Sequence, residues 1–255
     1  MKDIYLKIFA GSAYVAMVVV NFLANGLPIN NRSTGEISAD YPNLFAPSGV
    51  TFSIWGLIYL FLGGYVLYQF MKSDKSREGL FKKINPLFIT SSLANILWVF
   101  SWHYDYIGLS VFIIGILLYS LIKIANIIQL EQFSRAEILF IKTPFSMYFG
   151  WITVATIANI TVFLVSIDWN GFGITDFIWT NIILFIGALI GIARMNKDKN
   201  VIYGLVLIWA YLGILLKHLS IAGFNGQYQS IIIVVTLCLC SFGFFIGRLL
   251  IKKIN

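Results

Sequence analysis

Charge is scarce in this chain. Only 11% of its 255 residues are Asp, Glu, Lys or Arg, against 59% hydrophobic, and the mean hydropathy is +0.84. A water-soluble domain needs a polar exterior that this composition cannot supply, so the class is an integral membrane protein. Cysteine is as sparse: Cys238 and Cys240 stand two apart inside an apolar run, where a helix points them in separate directions. That argues against a disulfide or a helical metal site and for packing. All eleven carboxylates (Asp3, Glu36, Asp40, Asp74, Glu78, Asp105, Glu131, Glu137, Asp168, Asp176 and Asp198) fall in connections or at the ends of apolar runs. This argues against transport coupled through a buried acid and against carboxylate acid–base catalysis. The only two histidines, His103 and His218, have no Cys or acid beside them; hydrogen bonding at the membrane surface is expected of them, and no metal. No catalytic residue is assigned, and no cofactor is required.

What is abundant is long apolar sequence. Eight runs reach or approach the roughly 20 residues a helix needs to cross a bilayer: 5–25, 49–71, 86–103, 107–129, 143–166, 176–194, 201–218 and 229–250. The expected fold is all-α, a polytopic membrane helix bundle with no sizeable soluble domain. The first run follows Lys2 and Lys7 like a signal peptide but continues through Phe22 and Leu23, so it is read as a retained helix. Placed by connection, sixteen of the eighteen basic residues lie on one side: Lys2, Lys7, Lys72, Lys75, Arg77, Lys82, Lys83, Lys123, Arg135, Lys142, Arg194, Lys197, Lys199, Arg248, Lys252 and Lys253. Arg32 and Lys217 remain on the other. The positive-inside rule makes the crowded side, and with it both termini, cytoplasmic. The net charge of +7 is therefore a feature of topology and not a nucleic-acid surface. The lipid bilayer is the expected partner; no nucleic acid is, and a homodimer is compatible with the sequence.

Polar residues inside the runs mark a bundle interior or a site. Asn21, Asn25, Asn95, Trp98, Tyr148, Trp151, Thr156 and Asn159 are the main ones, all in the first five runs. For the Asn residues interhelical hydrogen bonding is the favoured reading over a site. The stretch from Pro42 to Tyr68 stands out: Pro42 and Pro47 stiffen its entry, Trp55 and Tyr59 share a helix face, and Gly63 with Gly64 leaves a groove for a neighbouring helix. The connection from Gly26 to Ser48 is the longest on its side and is placed as a lid. In the last three runs Gly187 and Gly191, and Gly243 and Gly247, form small-xxx-small pairs for close packing, while Trp179, Trp209 and Tyr211 are read as interfacial anchors.

Three motifs carry a resemblance. Pro47-x4-Phe52-x2-Trp55-x3-Tyr59-x3-Gly63, Leu93-Ala94-Asn95-x2-Trp98 and Tyr148-x2-Trp151-x3-Ala155-Thr156-x2-Asn159 occur in that order on the second, third and fifth runs. In these motifs the chain, over about Lys7 to Val165, resembles the tryptophan-rich sensory protein family, also called the translocator protein or peripheral benzodiazepine receptor family. The resemblance implies a five-helix unit at 1–170, with three further helices at 171–255. It also implies a pocket for flat hydrophobic ligands such as tetrapyrroles; the Ile-, Lys- and Asn-rich composition separately suggests the cytoplasmic membrane of a bacterium. The motif residues Pro47, Phe52, Trp55, Tyr59, Asn95, Trp98, Tyr148, Trp151, Ala155 and Asn159 are then the candidate ligand-binding set, with Pro42, Leu44 and Phe45 as lid. A receptor or sensor is the function implied. A permease or export subunit, and more remotely a tetrapyrrole-modifying enzyme, are the alternatives. Leu44 stands where the family loop has a tryptophan, so the resemblance does not carry over Trp-dependent porphyrin breakdown. The fifth run ends in Val165-Ser166-Ile167-Asp168 without a Tyr-then-basic motif, so sterol transport is not implied.

Overall fold

The computed structural model describes residues 2–27, 29–71 and 77–254. Lys72, Asp74 and Lys75 lie outside the described residues, as do the side chains of Lys2, Asp3 and Lys253. Among the described residues the chain is helical with no strands. Eight long helices carry it: α1 (Lys2–Gly26), α2 (Ile54–Met71, entered through a 3-10 turn at Gly49–Ser53), α3 (Glu78–His103), α4 (Ile107–Gln129), α5 (Thr143–Ser166), α6 (Asp176–Asp198), α7 (Val201–Leu219) and α8 (Gln229–Ile254). Each is long and apolar enough to span a membrane. The protein is an all-α, multi-pass membrane protein.

Two spans begin earlier than hydropathy suggests. α3 starts at Glu78 and runs through Pro86, where a proline-led reading begins it. Its first two turns are held by polar contacts instead of lipid: buried Asn85 accepts from the Tyr65 hydroxyl at 2.7 Å and donates to Gln69 at 2.7 Å. The fifth span starts at Arg135, where Ser134 and Glu137 form a reciprocal capping box. A π-turn at Ile138–Lys142 then leads into α5, with the Thr143 hydroxyl returning to the Ile138 carbonyl at 2.8 Å. Such a widened turn suits the proline at 144, which has no N–H to offer the helix.

The chain divides into two compact units that differ from a cut near 170. The first comprises Met1–Ile37 and Trp55–Ile152, the second Ser38–Ile54 and Thr153–Asn255. The chain passes between them at 37/38, 54/55 and 152/153, the last two inside the second-run and fifth-run motifs.

In the first unit α3 packs against α1 and α4. Its centre is a ring cluster in which Tyr65 meets Phe145 at 4.7 Å and Phe88 at 5.5 Å between centroids. Gly63 provides the groove expected of it: the Tyr14 hydroxyl lies 2.6 Å from where a Cβ would stand, and donates to the Tyr59 carbonyl at 2.8 Å. At one end of this unit Arg77 grips the connection after α4. It donates to Glu137 at 2.8 and 3.2 Å, to Glu131 at 3.0 Å and to the Gln132 carbonyl. These bonds, those to Glu137 foremost, raise the guanidinium's pKa above its ordinary value.

In the second unit α6, α7 and α8 pack on one another. Gly187 and Gly191 admit α7 closely, the Tyr211 hydroxyl and Leu207 reaching 2.8 and 2.4 Å from their Cβ positions. Gly243 and Gly247 do not act likewise, because among the described residues nothing lies within 4 Å of theirs. Helix spacing alone cannot say which glycine face meets a neighbour.

Candidate ligand site

The first unit gathers four of the expected residues. Trp55 and Tyr59, one turn apart on α2, stack with centroids 5.4 Å apart and planes 18° from parallel. From α5, Tyr148 and Trp151 meet the Trp55 ring edge-on at 5.9 and 6.1 Å. Spacings of three and four residues put each pair on one helix face, and offset or edge-to-face contacts are the favoured geometry for such rings.

Asn95 of α3 supplies the amide. It is fully buried, and its Oδ1 accepts from the Asn21 Nδ2 at 2.6 Å; Asn21 also donates to the Met17 carbonyl at 2.9 Å. The Asn95 Nδ2 makes no hydrogen bond among the described residues. The Tyr59 hydroxyl approaches the Asn95 amide but forms no hydrogen bond of normal geometry either. Two buried donors left over in one place are unusual, since most buried polar groups in native proteins are paired.

The remaining motif residues are placed differently. Trp98 stacks on Trp102 of its own helix at 5.4 Å, and Trp102 donates to the Thr34 carbonyl at 3.2 Å. Pro47, Phe52, Ala155 and Asn159 belong to the second unit, Pro47 and Asn159 buried there. So do the lid residues Pro42, Leu44 and Phe45, of which Leu44 and Phe45 are buried. They line a cleft of about 90 Å³ together with residues from the end of α5 to the first turns of α6.

What holds this segment was missed in the sequence. Ser48 N donates to the Gly213 carbonyl at 3.0 Å, Trp209 Nε1 to the Thr51 carbonyl at 2.9 Å, and His218 Nε2 lies 2.9 Å from the Leu44 carbonyl. All three partners are on α7, so Trp209 anchors this segment. His218 is buried, one residue before the end of α7. His103 is its counterpart in the first unit: also buried, it contacts the Ile29 carbonyl at 3.0 Å and the Thr34 hydroxyl at 3.1 Å. A histidine near a helix end was the available signal, but nothing local names a main-chain partner 74 or 174 residues away.

Fold and residues together define an all-helical membrane protein with an aromatic and amide cluster on facing spans. A family model described as TSPO-like protein matches residues 7–248, and the chain belongs to that family. The match takes in all eight spans, so the last three helices lie within it, beyond the Val165 limit of the motif resemblance. No curated protein and no solved structure matches the chain.

Proposed function

We propose that the protein is a membrane receptor or sensor that binds a hydrophobic, planar ligand of tetrapyrrole type at the Trp55, Tyr59, Tyr148 and Trp151 cluster. The observation that carries this is the buried Asn95 Nδ2, which lies beside the Tyr59 and Tyr148 hydroxyls without a hydrogen bond of normal geometry, among four aromatic rings. Indole and phenol faces stack on a flat apolar molecule, and a ligand carbonyl or carboxylate reaching the Asn95 amide satisfies a group the protein leaves idle. Family membership and multi-pass architecture support the same reading.

The topology belongs to the proposal as well. With eight spans crossing in turn both termini share a side, and the excess of basic residues on that side supports reading it as cytoplasmic, in a cell membrane that we take to be bacterial. A cysteine at Ser33 should react with an impermeant reagent in intact cells while one at the C-terminus stays protected. The reverse pattern would overturn the topology.

A porphyrin titrated into the purified protein should quench tryptophan fluorescence saturably at micromolar concentration, equivalent to roughly 8 kcal/mol. Trp151→Ala should weaken binding by about 1–3 kcal/mol and Asn95→Leu by about 1–2 kcal/mol, each in protein of unchanged helicity. Unaltered affinity in both variants would reduce the cluster to core packing. Binding without ligand flux in proteoliposomes supports the receptor, and flux that depends on Trp151 makes the protein a permease.

A further inference from the structure

The cleft in the second unit has a chemistry unlike that of the aromatic and amide cluster. Its walls are Trp169 and Trp179, with ring centroids 5.2 Å apart and planes tilted by 54°, and Phe172 stands edge-on to Trp169 at 5.4 Å. Asp176, Thr180 and Thr161 are among its lining residues, and Leu44 and Phe45 close one flank.

The walls are built. Trp179 Nε1 donates to the Gly171 carbonyl at 2.7 Å, and Gly171 has a φ of +62° that favours glycine. A side chain there would also meet the indole at 3.0 Å. Asn170 caps the turn by accepting from Phe172 N at 3.1 Å. On the opposite flank Asn43 accepts from Phe45 N and Ala46 N at 3.1 and 2.8 Å, fixing the segment that carries Leu44. Asp176 is exposed in the first turn of α6 and has no cationic partner among the described residues, and the Thr180 hydroxyl bonds its main-chain carbonyl.

Two indole faces beside an uncompensated carboxylate attract an organic cation. The ring quadrupoles draw a positive charge whose shell is apolar, and the carboxylate supplies the counter-charge. A volume of about 90 Å³ is small beside the roughly 300–1,000 Å³ of sites for drug-sized ligands, which limits the occupant to a compact head group. We propose that this cleft binds a methylated ammonium group, as a free alkylammonium ion or as the choline head of a lipid. The site uses none of the Trp55, Tyr59, Asn95, Tyr148 and Trp151 cluster, although Leu44 and Phe45, expected as a lid, form its flank.

Choline is the probe. The full chain in phosphatidylglycerol nanodiscs should show saturable binding by saturation transfer to the N-methyl protons. The uncharged isostere 3,3-dimethylbutan-1-ol should bind at least tenfold more weakly. Asp176→Asn and Trp169→Leu should each weaken choline about tenfold with the unfolding temperature unchanged. Asp168→Asn, which alters a carboxylate outside the lining, should leave affinity as it was. Nanodiscs of phosphatidylcholine separate the two sources: competition there assigns the site to the lipid head, and undiminished binding assigns it to the free ion. Equal binding of the neutral isostere, or Asp176→Asn with unaltered affinity in folded protein, would overturn the proposal. Should Trp169→Leu fail to fold, Asp176→Asn and the isostere decide alone.

Discussion

Replacing Arg77 with methionine should lower the protein's stability by about 2–3 kcal/mol. Glu137 is 3% exposed, and its carboxylate accepts both from Arg77 and from the Ser134 main chain. Removing one partner of a buried ion pair costs roughly 3–5 kcal/mol because a charge is left in poor solvent. The lower figure applies here because the Arg77 and Glu131 side chains stay 20% and 30% exposed, so water takes over part of the lost contact. Arg77→Lys should fall between, keeping the charge but losing the two-pronged bond to Glu137. Because the raised pKa keeps Arg77 protonated to strongly alkaline pH, the loss should be the same at every pH between 6 and about 9. Thermal unfolding in detergent, followed by helicity, reads the effect. Arg77→Met within about 0.5 kcal/mol of the parent would mean that the clamp contributes only surface electrostatics.

The same clamp shows what could and could not be read from the chain. Apolar length alone locates all eight spans, because a bilayer demands it of each helix separately. It fails where a helix is held by something other than lipid. Glu78 to Asn85 looks like a connection by hydropathy, and Pro86 looks like its end. Yet Asn85 is bonded to Tyr65 and Gln69, partners 20 and 16 residues away, and the helix continues through the proline. Local readings of α2 did better, since Trp55 with Tyr59 and the Gly63 groove need only helical spacing to be recognised. Trp55 meeting Tyr148 and Trp151 required the order of motifs in addition to their spacing.

The division into units was out of reach for a related reason. By sequence, residues 38–48 belong to the lid connection and 49–54 to the start of the second run, but the hydrogen bonds of Ser38–Ile54 run to α7, as far as 174 residues on. No periodicity encodes such a partner. Gly213 lies in a helix with no second glycine at the spacing of a packing motif, and Trp209 is indistinguishable from an interfacial anchor.

Gly213→Ala should release the Ser38–Ile54 segment from α7. A Cβ there would stand 2.0 Å from the Thr51 Oγ1, 2.7 Å from its Cγ2 and 2.8 Å from its Cβ. Thr51 is 1% exposed and cannot rotate out of the way without moving its own main chain. That main chain carries the Thr51 carbonyl to which Trp209 donates, and Ser48, three residues earlier, donates to the Gly213 carbonyl. Alanine gains about 1 kcal/mol over glycine in a helix. Overpacking of about 1–3 kcal/mol and a lost hydrogen bond of about 1 kcal/mol outweigh that gain. The expected result is a net loss of about 1–3 kcal/mol concentrated in the segment, read as faster hydrogen exchange at the Ser48 amide and earlier proteolysis between 38 and 54. Trp209→Phe tests the same attachment without new bulk and should give a smaller loss of about 1 kcal/mol at the same sites. Combining Gly213→Ala with Thr51→Gly should recover part of the loss, because the overlap disappears when Thr51 gives up its side chain. If Ser48 exchange and the cleavage pattern are the same in all three variants, α7 does not hold the segment. Leu44 and Phe45, which flank the choline cleft, would then need another source of order.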